Sequence, residues 1–106
     1  MDKIHQLIPL SKLQAFCSKW KIKTFYVFGS VLRDDFKNSS DLDIMIEFLD
    51  HADWSLLDHV EMKDELSSIT GRSIDLLTKK SVERSLNKIR KEEILRTAQA
   101  IYDAAA

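Results

Sequence analysis

From Asp41 to Phe48 the sequence reads DLDIMIEF, and apolar residues recur at every second position. In an extended chain, Leu42, Ile44, Ile46 and Phe48 fall on one side, and Asp41, Asp43, Met45 and Glu47 on the other. A segment with that period has to be a strand whose apolar side is covered. It therefore predicts a sheet, and the rest of the chain has to supply its neighbours and its cover. IKTFYVFG, rich in β-branched and aromatic residues, predicts a strand that ends at Gly29. SIDLLT (Ser73 to Thr78) predicts a third, with Asp75 in its middle.

The cover is predicted as helices. Pro9 suits a helix start, and Leu10, Leu13, Phe16, Cys17 and Trp20 follow at helical spacing. Asp53 is placed to cap a helix from about Trp54 to Ile69, with Leu57, Val60, Leu66 and Ile69 facing inward. From about Ser81 the pattern predicts helix to the end, with Ile89, Ile94, Leu95, Ala98, Ile101 and Tyr102 as its stripe. Two glycines and one proline leave little room for long loops. The expected fold is α+β: a small mixed sheet with helices packed on one face, in a single domain over residues 1–106.

Seventeen acids against sixteen bases leave a net charge of −1, which argues against a basic nucleic-acid-binding surface. An anionic ligand would have to be held locally. There is no 18-residue apolar run to span a membrane, and MDKIHQLIPL lacks a signal-peptide core, so cytoplasm is the expected compartment. The lone Cys17 cannot form an internal disulfide and is expected to be a small buried hydrophobe. His5, His51 and His59 share no zinc-ligand spacing.

The acids are the unusual feature. Asp41 and Asp43 project from the same strand face, and if the third strand pairs beside them Asp75 joins the cluster. Carboxylates crowded together raise one another's pKa or recruit a cation. An oxygen-only set suits Mg2+ or Mn2+ rather than zinc. Ahead of them, Gly29 permits a tight turn, Ser30 opens a helical turn with free N–H groups and a hydroxyl, and Arg33 stands one turn on. That combination can grip phosphates. Taken singly each residue has a simpler reading: Ser30 as a cap, the acids on a solvated strand face, Arg33 in a surface ion pair with its acidic neighbours. Together they point to metal-assisted phosphoryl chemistry.

Gly29-Ser30, ten intervening residues and then Asp41-Leu42-Asp43 resembles the signature of the DNA polymerase β-like nucleotidyltransferase superfamily, with Asp75 in SIDLLT as the third acid on a later strand. The short chain resembles the minimal nucleotidyltransferases, often the antitoxin partners of HEPN-domain ribonuclease toxins. The resemblance implies the polymerase β-like palm fold and two bound divalent ions (Mg2+, with Mn2+ an alternative). It also implies ATP as substrate and transfer of AMP to a hydroxyl, in the antitoxin branch a tyrosine of the toxin. Carried over, Asp41 and Asp43 would bind the metals, Asp75 would complete the catalytic-metal site and assist deprotonation, Gly29 and Ser30 would hold the β- and γ-phosphates, and Arg33 would match a common family arginine. One departure is Asp34, where relatives often carry glycine.

Two other functions fit the same residues. One is a non-catalytic antitoxin that neutralises its toxin by docking. The other is a nucleotidyltransferase for a small molecule, for which no acceptor-binding segment is evident. The implied partners are a HEPN toxin, in a hetero-oligomer, and ATP, with neither membrane nor direct nucleic-acid binding.

Overall fold

The computed structural model describes residues 2–105. Two short helices, α1 (Asp2–Leu7) and α2 (Leu10–Lys19), lead into strand β1 (Ile22–Phe28). A 3-10 turn (Gly29–Leu32) and a loop follow, then β2 (Leu42–Phe48), α3 (Leu56–Thr70) and β3 (Ile74–Thr78). The chain closes with α4 (Lys79–Glu83), α5 (Lys88–Thr97) and β4 (Gln99–Asp103). The sheet order is β3-β2-β1-β4. β1 runs antiparallel to both β2 and β4, whereas β2 and β3 are parallel, joined by the α3 crossover. The mixed α+β sheet expected from the sequence is therefore the observed one.

The alternation in β2 sets the layers. Leu42, Ile44 and Ile46 are fully buried, and with Phe25 and Val27 they meet Leu13 and Phe16 of α2 and Met62 and Leu66 of α3. Phe16 and Phe25 pack edge to face at 6.1 Å between ring centres. Trp20 and Trp54 do the same at 5.1 Å, with Trp54 Nε1 donating to the Trp20 carbonyl at 2.8 Å. Cys17 is buried as expected, and burial pushes its thiol pKa up to about 12. This larger core lies on one side of the sheet. On the other side Phe28 and Met45 are covered by Val82 of α4 and Ile94 of α5, so helices pack on both faces rather than on the one expected, and this smaller cluster leaves Asp41 exposed at the start of β2.

Several expectations need correction. The last helix is not continuous: it breaks after Glu83, α5 restarts with Asn87 as a cap whose side chain accepts from the Arg90 amide, and Gln99–Asp103 is a strand. Edge pairing with β1 overrides the helix-forming tendency of Gln99 and Ala100. Ile89 and Leu95 are consequently exposed, while Ile101 and Tyr102 are partly buried from β4. The cap of α3 is Ser55, not Asp53: its hydroxyl accepts from the Asp58 amide and Asp58 reaches back to the Ser55 amide. The frame set by that cap turns Met62 and Leu66 inward and leaves Leu57 and Val60 exposed. Leu10, at the start of α2, is half exposed. Among the described residues, no helix is long and apolar enough to cross a membrane.

Candidate functional site

The parallel pairing of β2 and β3 places Asp43 and Asp75 directly opposite each other. Both point away from the larger core, on the face that carries Met45, because Leu42 and Ile44, and likewise Ile74 and Leu76, fill the apolar side. Asp41 sits one residue before β2 begins and is exposed. Asp43 is half-buried. Its carboxyl pKa is raised, first by burial, then by the negative charges of Asp75 and Asp41, with Arg90 and Arg33 pulling the other way. Asp43 thus feels the charge of both other acids named from the sequence.

They do not form a finished chelate. Among the described residues, no three His, Cys, Asp or Glu side chains make a ready metal-binding group. Oδ2 of Asp75 lies instead 3.8 Å from Nη2 of Arg90. The donor chemistry still fits a hard divalent cation: all donors are carboxylate oxygens, and the Asp43 carboxyl is raised first by burial and then by its two acidic neighbours, whose charges a bound cation would offset.

Gly29 meets these acids through its backbone. β1 and β2 pair Phe28 with Asp43, so the turn after Phe28 folds over the start of β2. Gly29 has φ of +75° and a β-carbon on it would collide with Oδ2 of Asp43. Here the glycine makes room for a carboxylate of the chain itself. Ser30 is half-buried within the 3-10 turn, and its carbonyl accepts from the Arg33 amide at 2.9 Å. Arg33 is exposed and its Nε donates to Asp35 at 3.2 Å, although its charge reaches Asp43. Asp34 is exposed.

Two arginines belong to the site without any sequence signal. Nη1 of Arg72, just before β3, donates to the carbonyls of Lys37 at 2.8 Å, Asn38 at 3.3 Å and Ser40 at 2.9 Å. Its guanidinium also lies over the Phe36 ring, 4.2 Å from the centre. It pins the loop that delivers Asp41. The other is Arg90 on α5, which with Phe28, Asp43, Ile89 and Ile94 lines an open cleft of about 610 Å³.

The model of the nucleotidyltransferase domain matches residues 11–98, which span both strands carrying the acids and the Gly29 turn. The chain belongs to the nucleotidyltransferase domain family. The resemblance carried by Gly29-Ser30 and Asp41-Leu42-Asp43 is thereby borne out. The chain is 30% identical over 95 residues to protein adenylyltransferase MntA of Thermococcus cleftensis, covering 90% of this chain and 93% of the relative. A solved toxin–antitoxin structure with AMP-PNP shares the fold, with a TM-score of 0.69 at 17% identity over 92% of this chain and 75% of that one. So does a Shewanella oneidensis complex of a tri-AMPylated HEPN toxin with its MNT antitoxin, with a TM-score of 0.62 at 17% identity over 99% and 75%.

Proposed function

We propose that this chain is a Mg2+-dependent protein adenylyltransferase that moves AMP from ATP to a tyrosine hydroxyl of a HEPN toxin and acts in the cytoplasm as that toxin's antitoxin. The observation that carries the reading is the register of Asp43 against Asp75 beside the Gly29 turn. The name of the Thermococcus relative and the modified toxin of the Shewanella complex support the choice of acceptor, and the AMP-PNP complex supports ATP as donor.

In this reading Asp41 and Asp43 hold the divalent ions and Asp75 completes the set. When bound, such ions offset the charge of the triphosphate and lower the pKa of an acceptor hydroxyl. The backbone at Gly29 and the Ser30 hydroxyl hold the β- and γ-phosphates, and Arg33 leaves Asp35 to join them. Asp75 takes the acceptor proton. The acceptor oxygen bonds to the α-phosphorus as the bond to the bridging oxygen breaks, and pyrophosphate leaves.

Incubation of the chain with ATP, Mg2+ and a HEPN partner tests this by intact mass. The partner is expected to gain the mass of one or more AMP groups on tyrosine. No gain on any HEPN partner, from a chain that binds Mg2+ and nucleotide, overturns the reading.

Neutralisation by docking alone is a second reading, favoured by the exposure of Leu86 (98%) and Ile89 (84%), which leaves an apolar surface free for a partner. The double variant Asp41→Ala with Asp43→Ala separates the two. If it neutralises the toxin fully at equimolar dose, docking suffices.

A further inference from the structure

Arg90 has no role in the signature, yet several observations place it at the reacting centre. Its Nη2 lies 3.8 Å from Asp75 Oδ2, too long for a hydrogen bond. Its side chain is 56% exposed, so the pair adds little stability. It lines the same open cleft as Asp43. It also sits at the wrong end of its helix for stability. Lys88, Arg90 and Lys91 load the beginning of α5 with positive charge and its first turn holds no acid, against the preference of the helix dipole. A cation kept loosely at an unfavourable helix end, beside Asp75 and in one cleft with Asp43, is poised for a ligand rather than for the fold.

We propose that Arg90 is a nucleotide-phosphate-binding residue that balances the Asp43–Asp75 pair until metal and nucleotide enter the cleft. This rests on the function proposed above. In the free chain Arg90 offsets the negative charge of the two acids. Once they engage a divalent cation, that attraction is lost and the guanidinium turns into the cleft. There its planar fork can take two phosphate oxygens at once. Arg90 thus competes with the cation and cooperates with the nucleotide, a combination a merely structural arginine would not show.

The test is binding, without any toxin. Wild type, Arg90→Ala and Arg90→Lys are titrated calorimetrically with Mg2+ alone and with Mg2+ plus AMP-PNP, with unliganded melting as a check on folding. For Arg90→Ala the expected result is Mg2+ binding as tight as wild type or tighter, and nucleotide binding weaker by about tenfold, the scale of one lost charged hydrogen bond. Arg90→Lys keeps the charge but not the fork, so its nucleotide affinity should fall between the two and its fold should be intact even if the alanine variant is unstable. Nucleotide affinity unchanged in both variants, or metal and nucleotide affinity lost together in both, overturns the proposal. Wild type that binds neither ligand overturns the proposed function as well.

Discussion

The carboxylate of Asp43 occupies the space that a side chain on residue 29 would need. The contact joins the two halves of the signature, the Gly-Ser turn and the paired acids, through ordinary packing. It also separates stability from function. The obstructing atom is the end of a side chain that can rotate away, while the backbone at residue 29 keeps its left-handed conformation.

Gly29→Ala should therefore lower stability by only about 1–2 kcal/mol, the cost of a left-handed alanine. It should weaken Mg2+–nucleotide binding by about 10- to 100-fold, the scale seen when a metal ligand loses its support. Urea melts and calorimetric titrations check the two arms. A variant that loses stability but binds normally would mean that Asp43 need not stay where it is.

Asp43 itself should weigh against folding in the metal-free chain. Its carboxyl holds a proton more tightly folded than unfolded, because of burial and of its acidic neighbours. Folding therefore takes up a proton between the ordinary carboxylate pKa and the raised one, so this group's contribution falls as pH rises through that window and stays lower above it. Asp43→Asn should raise the metal-free Tm at neutral pH and flatten the pH dependence across the window. It should also abolish the stabilisation expected from Mg2+ with ATP in wild type, about 2.7 kcal/mol at a hundredfold excess over Kd. Melting scans from acid to neutral pH, with and without Mg2+ and ATP, read all three effects.

Arg72→Ala should free the loop of residues 37–40. Three carbonyls lose a charged donor and Phe36 loses its cover, so stability should fall by about 1.5–3 kcal/mol. Amide exchange should quicken in that loop before it does in β2. Metal affinity should fall with it, because Asp41 is the next residue. Unchanged exchange in the loop would show that it holds itself, through the Lys37 and Ser40 bonds.

Ser55→Ala should cost about 1 kcal/mol by removing the capping box of α3. Asp53→Ala should stay within about 0.5 kcal/mol, as for an ordinary surface change. Equal losses from the two, measured by urea unfolding, would refute the assignment of the cap.

Much of the frame was legible because it rests on local pattern. Leu42, Ile44 and Ile46 declare β2 by alternation, Pro9 marks the start of α2, and Gly29-Ser30 with the two aspartates marks the site. Other features depend on what lies across the fold. β4 looks like helix until β1 offers it an edge. Asn87 was a readable cap, and with the break at Ser85 it could have revealed where α5 restarts. Ser55 with Asp58 three residues later was an equally readable capping pair, and it would have corrected the inward face of α3. No spacing rule could have found Arg72 or Arg90. The first acts on backbone carbonyls of a distant loop, and the second reaches Asp75 from a helix that follows all three strands of the motif.

The parallel pairing of β2 with β3 also bears on when the molecule can first act. During synthesis Asp43 leaves the ribosome well before its counterpart, and the two meet only after the intervening crossover has formed and packed. Arg90, and the strand that seals the far edge, arrive later still. An unfinished polypeptide would therefore carry only half of the proposed site until β3 has emerged and paired with β2.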